Sequence, residues 1–269
     1  MRPHPPARDP VTAIADALAG GGEIRLINPS LSLLSAVVDR THPTEGGGRL
    51  TVVLTPSVQA AIADRFPTAA QLADLAAADR AVTHTTSAAM EGTLVGGAVI
   101  GTVYARDQTT ALLPLDTERW GGWVDRAWQS AVAATPPTEQ HHLGYHQLHA
   151  SLAERVAPPV AERFDALVAT ARQLWPVEAA IDPTALALLA TACHGGQLAE
   201  VTAWGVDSDI ASRATFSRVK SQLEDAGVIE TTPIPQSVGR PRLRLELRQP
   251  HREDADPVAL LEAAGSVIG

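Results

Sequence analysis

The residues best suited to chemistry lie between positions 212 and 227, in a segment with a helical pattern. Its apolar residues recur every three or four positions and share one face: Phe216, Val219, Leu223 and Ala226. The opposite face carries short side chains beside one arginine: Ala214, Ser217, Arg218 and Ser221. Short side chains let a helix enter the major groove of DNA, where an arginine reaches a base edge or a phosphate. This pattern favours contact with duplex DNA.

A second group of basic residues follows in a predicted hairpin. Residues 228–232 and 241–247 have strand patterns and are separated by a loop over 233–239. In the second strand Leu243, Leu245 and Leu247 alternate with Arg242, Arg244, Glu246 and Arg248, so the two sets face opposite sides. Helical patterns at 185–193 and 198–204 precede the segment at 212–227, and Gly205 is expected to end the second of them. Three helices followed by a basic hairpin is the order of a winged helix-turn-helix domain, in which the wing lies along the phosphates.

The predicted DNA contacts combine the helix and the wing. They are Arg213, Thr215, Ser217, Arg218, Lys220, Ser221, Arg240, Arg242 and Arg244. Arg218 is the strongest candidate on the helix and Arg240 the strongest on the wing. Arg213 and Lys220 flank the exposed face, where solvation is the alternative. A winged helix used only for protein contacts is the alternative for the whole region.

The charge distribution supports a basic region within an acidic chain. The 269 residues carry a net charge of −9 at pH 7. Residues 210–250 have a charge of +3, so the remainder carries −12. A uniformly acidic surface argues against nucleic acid, but this asymmetry favours a local basic footprint.

Composition excludes several classes of protein. A hydrophobic fraction of 45% excludes wholesale disorder, and the only cysteine, Cys193, excludes an internal disulfide and a multi-cysteine zinc site. Beside His194 this thiol is a weak redox candidate, and a buried structural role is favoured. Apolar stretches are too short for a transmembrane helix, and the polar start lacks a signal-peptide core. We therefore expect a cytoplasmic protein with no membrane partner and no cofactor.

Residues 1–118 have the pattern of an α/β domain with a strand–turn–helix repeat. Strand patterns at 24–27 and 50–54 are each followed by a polar turn and an apolar-periodic helix. In both turns a polar residue can cap the helix, and a proline fits its first position. The functional alternative is an effector pocket, because helix N-termini at the ends of parallel strands attract anions. That pocket would be formed by Asn28, Ser30, Thr55 and Ser57.

Later elements of this domain predict a mixed sheet. Residues 93–95 and 98–100 have the form of a hairpin with its turn at Gly96-Gly97, and another turn near 106–108 leads to a strand at 109–113. From 119 to 178 the period becomes helical, which indicates a linker or dimerisation segment. A winged helix-turn-helix domain over 179–250 and a tail over 251–269 complete the predicted organisation.

Three histidines in the middle segment have a spacing that is feasible for a metal site. His142, His146 and His149 lie on one side of a predicted helix. Since no cysteine or carboxylate pattern accompanies them, an exposed polar helix face is favoured, and no metal site is predicted.

Several runs of residues resemble a known family. They are 214–218 (ATFSR), 223–227 (LEDAG) and 238–245 (VGRPRLRL), which look like the C-terminal domain of the TbsP-type transcriptional regulators of halophilic archaea. The turn at 28–30 is similar to the N-terminal domain of that family. The resemblance implies a DNA-binding transcription factor that acts on metabolic genes. It identifies no ligand residues.

The motifs of common enzymes are missing from the sequence. It contains no phosphate-binding loop, no Gly-x-Ser-x-Gly elbow and no His-Glu-x-x-His zinc helix, so we predict that the protein is not an enzyme. The favoured hypothesis is a homodimeric regulator that binds promoter DNA and senses a small-molecule effector or a partner. The alternative is a protein-interaction module with a winged-helix scaffold and only weak DNA binding.

Overall fold

The computed structural model describes residues 8–41, 47–87, 92–106, 109–133, 135–138, 143–176, 179–235, 242–249, 251–252 and 256–268. The helices are α1 (Pro10–Ala19), α2 (Leu31–Asp39), α3 (Pro56–Ala63), α4 (Phe66–Ala77), α5 (Thr117–Val132), α6 (Tyr145–Arg155), α7 (Pro158–Leu174), α8 (Pro183–Cys193), α9 (Leu198–Asp207), α10 (Arg213–Asp225), α11 (Pro257–Ala263) and α12 (Gly265–Ile268). The strands are β1 (Ile24–Ile27), β2 (Leu50–Leu54), β3 (Ala81–Thr85), β4 (Thr93–Gly97), β5 (Gly101–Arg106), β6 (Thr109–Pro114), β7 (Ile229–Ile234) and β8 (Arg242–Leu247).

Backbone contacts divide the chain into two compact units. Residues 1–64 and 68–141 form the N-terminal unit, and residues 65–67 and 142–269 form the C-terminal unit. This division differs from the four segments predicted from the sequence, because α5 packs on the sheet of the first unit whereas α6 and α7 pack within the second. The predicted tail is also structured, since α11 packs on α7. The sensor and dimerisation roles assigned to the segments stay predictions.

The N-terminal unit contains the predicted mixed sheet. Its strand order is β3-β2-β1-β4-β5-β6, with β1, β2 and β3 parallel and the others antiparallel. Alternate residues of β1 and β2 point to opposite faces, so each face has its own apolar cluster. One cluster joins Leu26 and Val52 to α1 and α2, and the other joins Ile27 and Val53 to α5.

One local prediction for this sheet is wrong, and one of its strands was missed. The turn between β4 and β5 lies at 98–100 rather than at Gly96-Gly97, because Gly97 is still paired with Ile24. A Cβ on Gly97 would lie 2.1 Å from the carbonyl oxygen of Glu23, so glycine is required by close backbone approach. Strand β3 was not predicted at all, and it pairs with β2 from Leu50↔Ala81 onward.

The C-terminal unit has the predicted winged-helix order of helices and hairpin. Helices α8, α9 and α10 are followed by the antiparallel strands β7 and β8, and their core includes Trp204, Phe216 and Leu245, all almost completely buried. The indole N–H of Trp204 donates to Ser151 Oγ at 2.9 Å, which ties α9 to α6. Among the described residues, none of the helices combines the length and apolar character required to cross a membrane.

The predicted end of the second helix of this domain is wrong. Gly205 was expected to terminate it, but α9 continues to Asp207 and Gly205 is buried inside it. A Cβ at this position would lie 2.2 Å from Cζ of Phe216. The glycine therefore serves close packing between α9 and α10 rather than helix termination.

Candidate nucleic-acid interface

The turn between α9 and α10 fixes the angle at which α10 leaves the core. Asp209 adopts a left-handed conformation with φ of 53°, and the N–H of Ile210 donates to the carbonyl of Gly205 at 2.9 Å. A short polar side chain tolerates this conformation better than a branched one. The turn therefore joins the two helices of a helix-turn-helix motif without a glycine.

Helix α10 begins at a side-chain cap and is held by an apolar side. Ser212 Oγ accepts the backbone N–H of Thr215 at 3.1 Å, which satisfies one of the free donors of the first turn. Phe216, Val219 and Leu223 are buried, as their spacing predicted. Ala226, placed on the same face from sequence, is exposed just beyond the helix.

The opposite side of α10 is exposed and polar. Arg213, Ser217, Arg218 and Ser221 are exposed, and Thr215 is half-buried. Arg218 Nη1 donates to Oε1 of Gln222 at 3.0 Å, so a neutral acceptor one turn away orients the guanidinium. Gln222 was not predicted, although its spacing of four from Arg218 was a signal that could have identified it.

Lys220 points toward the hairpin rather than along this exposed side. Its side chain is 15% exposed and pairs with Glu224, which also accepts the hydroxyl of Thr231 on β7 at 2.8 Å. Lys220 thus braces α10 against the wing. Its predicted DNA contact would require this ion pair to open.

The wing is joined to the segment that precedes α9. The N–H of Leu245 donates to the carbonyl of Gly196 at 2.8 Å, and the backbones of Gln197 and Arg244 pair as an isolated antiparallel β-bridge. Oε1 of the same Gln197 accepts from Arg242 Nη1 at 3.2 Å. Arg242 and Arg244 are both exposed. Arg240 lies outside the described residues.

The other arginines of the wing region pair with carboxylates. Arg248 lies 3.8 Å from Glu230, and Arg252 lies 2.9 Å from Glu246. Leu245 and Leu247 are buried as predicted, but Leu243 is 36% exposed. The exposed cations of α10 and β8 are thus the described groups best placed to meet phosphates or base edges.

The four residues of the predicted effector pocket are used in local structure. Ser30 caps α2 by accepting from Leu33 N–H, and Thr55 caps α3 by accepting from Val58 N–H. Ser57 lies 3.0 Å from the Thr55 hydroxyl. The capping prediction is confirmed, although Pro29 precedes its helix and only Pro56 occupies a first helical position.

Asn28 connects this region to β4. It adopts a left-handed φ of 51°, and its amide donates to the carbonyl of Gly92 at 3.3 Å. The hydroxyl of Thr93 donates back to the carbonyl of Asn28 at 2.9 Å. Asn28 therefore braces the start of β4.

The predicted histidine face of α6 is partly paired. His149 lies 3.2 Å from Asp165, which also accepts the hydroxyl of Tyr145. His142 lies outside the described residues. Across the part of the chain that the structure describes, no group of three His, Cys, Asp or Glu side chains is placed to hold a metal ion.

Cys193 lies at the end of α8 and is partly buried. Burial raises the pKa of its thiol, which keeps the group protonated. Redox-sensing thiols have a lowered pKa, so this environment fits the structural role that the sequence favoured.

Comparison with protein families gives two matches, one in each half of the chain. Residues 6–136 match a family model described as "Transcriptional regulator TbsP-like, N-terminal". Residues 144–265 match a model described as "Transcriptional regulator TbsP-like, C-terminal HTH domain". The comparisons with curated proteins and with solved structures gave no match.

Proposed function

Because this chain belongs to the family of TbsP-like transcriptional regulators, we propose that it controls metabolic genes by binding their promoters as a homodimer. In this proposal the C-terminal unit reads the DNA. The N-terminal unit senses a small-molecule effector or a protein partner. The helix-turn-helix domain supports the DNA-binding part of the proposal. The target genes and the effector are proposed beyond what that domain supports.

The exposed side of α10 is the observation that carries the proposal. It presents short hydroxyl side chains around Arg218, whose guanidinium is oriented by Gln222. A major groove accepts a helix with such a surface, and an oriented arginine fits the two acceptors of a guanine edge. Arg218 therefore reads a base in the proposed complex.

The wing has a different role in the proposed complex. Arg242 and Arg244 are exposed on β8. Together with Arg240 they contact phosphates, which adds affinity but little sequence preference. Arg213, Thr215, Ser217 and Ser221 complete the contacts of α10, whereas Lys220 contributes mainly through its pair with Glu224.

Two-fold symmetry and effector sensing are further parts of the proposal. Winged-helix and related motifs commonly read two half-sites, whose spacing matches the symmetry of a dimer. The polar turns at Asn28, Ser30, Thr55 and Ser57 lie where parallel strands end, which is the usual place for ligands in such sheets.

Fluorescence anisotropy over a KCl series tests the proposal. The probes are a duplex enriched by the wild-type protein from a random pool and a scrambled duplex of equal length. Arg218→Ala is expected to weaken specific binding by about 1–3 kcal/mol. Arg240→Ala or Arg242→Ala is expected to weaken both duplexes equally and to reduce the salt slope by about one unit. Arg126→Ala, which removes an exposed arginine of α5, serves as the matched control.

The alternatives give different results. Equal and feeble binding by wild type and Arg218→Ala would contradict DNA reading and favour a protein-interaction module. Loss of specificity on Arg242→Ala with no such loss on Arg218→Ala would mean that the roles of helix and wing are reversed.

A further inference from the structure

An apolar cleft lies in the N-terminal unit between the start of α5 and the strands β4 and β5. It has a volume of about 310 Å³. Leu94, Thr102 and Leu115 line one part of it, and the indoles of Trp120 and Trp123 line another. This size and composition match ligand sites, which are mostly apolar and begin at about 300 Å³.

The indoles of Trp120 and Trp123 are exposed, although other large apolar side chains of the protein are buried in its core. Trp120 and Trp123 meet edge to face, with ring centres 6.3 Å apart, and are 38% and 48% exposed. Tyr104 and Leu113 lie on the same face of the sheet, beyond α5, and are also exposed. A concentration of exposed aromatic and apolar side chains marks a binding surface.

The edge of the cleft is held in place by hydrogen bonds. The hydroxyl of Thr102 donates to the carbonyl of Thr93 at 3.1 Å, and the hydroxyl of Thr93 donates to Asn28. The left-handed Asn28 in turn binds the carbonyl of Gly92. Since these donors are already used within the protein, the cleft offers few polar partners to a ligand.

Arg119, which is stacked on one of the two indoles, supplies a charge preference. The guanidinium of Arg119 lies over the ring of Trp120, with Cζ 5.3 Å from the ring centre. An arginine in this position can bind a carboxylate while it stays stacked on the indole. The complementary ligand is thus an aromatic ring that carries an acid group.

We propose that this cleft binds a small aromatic acid, with the ring against Trp120 and Trp123 and the acid group on Arg119. The inference rests on the proposed function only in identifying this ligand as the effector. Asn28, one of the four residues of the expected effector pocket, braces the edge of this cleft.

Two fluorescent probes with the same ring system test the proposal directly. Anilinonaphthalene sulfonate carries an acid group, and phenylnaphthylamine is its uncharged counterpart. Wild-type protein is expected to bind the sulfonate more tightly, with energy transfer from tryptophan. Trp123→Ala is expected to raise the Kd of both probes about tenfold, because one indole wall is lost. Arg119→Gln is expected to raise the Kd of the sulfonate about tenfold and to leave the uncharged probe unchanged.

Matched controls separate the cleft from general effects. Arg126→Gln removes an arginine of the same helix, and Trp175→Phe removes an indole of the other unit, so both are expected to bind like wild type. Urea unfolding of each variant shows whether the probes report the folded state. Light scattering gives the oligomeric state with and without probe.

Three results would overturn the proposal. One is a Kd for the probes that does not change in Trp120→Ala and Trp123→Ala. Another is an equal rise in the Kd of both probes in Arg119→Gln. The third is a wild-type dimer that binds no probe and becomes a monomer on Trp123→Ala, which would make a second copy the occupant. Probe binding at the cleft without any DNA binding would instead contradict the proposed function and leave this inference intact.

Discussion

Helices α5 and α10 both bury one side, but their exposed sides have different chemistry. α10 exposes short hydroxyl groups and arginines, whereas α5 exposes two indoles beside arginines. Short polar side chains fit a hydrated, charged groove, and indoles fit an apolar ring. The exposed side therefore indicates the class of partner, while the buried side indicates only where a helix is anchored.

The anchors of the two helices are similar. Phe216 of α10 lies against Gly205, and Val124 of α5 lies against Gly96. A Cβ on Gly205 would lie 2.2 Å from the Phe216 ring, and one on Gly96 would lie 2.9 Å from Val124 Cγ1. In each case a glycine on the neighbouring element lets an apolar side chain approach closely. The closer approach occurs beneath α10, the helix proposed to contact DNA.

The largest expected effect comes from breaking the anchor of α10. Gly205→Ala puts a methyl group where the Phe216 ring lies, and the ring is buried on all sides. Overpacking of this kind costs about 1–3 kcal/mol of unfolding free energy. Urea unfolding of the full-length protein, followed by circular dichroism, measures the change. An unchanged midpoint would contradict this prediction, because it would show that α10 can move away from α9 without loss of stability.

A smaller effect tests the exposed side of α10 without touching its anchor. Gln222→Ala removes the acceptor that orients Arg218. We expect specific DNA affinity to fall by about 0.5–1.5 kcal/mol, the typical value of one hydrogen bond. Binding to a scrambled duplex is expected to stay the same, because phosphate contacts do not need an oriented guanidinium. Anisotropy titrations of both duplexes measure the difference.

The matched control for that prediction is Gln129→Ala, the same exchange at an exposed glutamine of α5 that is not among the proposed DNA contacts. If Gln222→Ala weakens both duplexes equally, Gln222 acts in general affinity and the orienting role is contradicted.

Local patterns explain why much of the fold was predictable. The buried side of α10 follows from the spacing of Phe216, Val219 and Leu223, and the parallel pair β1–β2 follows from the repeated strand–turn–helix pattern. These signals are contained within short segments, so no tertiary information is needed to interpret them.

Other features depend on contacts between distant segments. β3 has few large apolar residues, and its place is fixed by pairing with β2 and by the N–H of Thr138, which donates to the carbonyl of Thr83. The orientation of Lys220 depends on Glu224 and, through it, on Thr231 in the wing. The cleft joins side chains of β4, β5 and α5 that lie far apart in the sequence. Spacing within one segment cannot reveal such arrangements.

The smallest expected effect is a gain in unfolding free energy, and it sharpens the contrast between the two helices. Gly122 lies on the exposed side of α5, where a Cβ would meet no atom closer than Arg126 Nη1 at 3.7 Å. Alanine is favoured over glycine in a helix interior by about 0.5–1 kcal/mol, so Gly122→Ala is expected to stabilise the protein by about that amount. Gly205→Ala is expected to destabilise the protein, because the Cα hydrogen that the methyl group replaces faces the Phe216 ring rather than solvent. Urea unfolding of both variants under one condition measures the two signs together. A loss of stability in Gly122→Ala would mean that this side of α5 is covered in solution, and it would favour a second copy of the chain over a small aromatic acid as the partner of that surface.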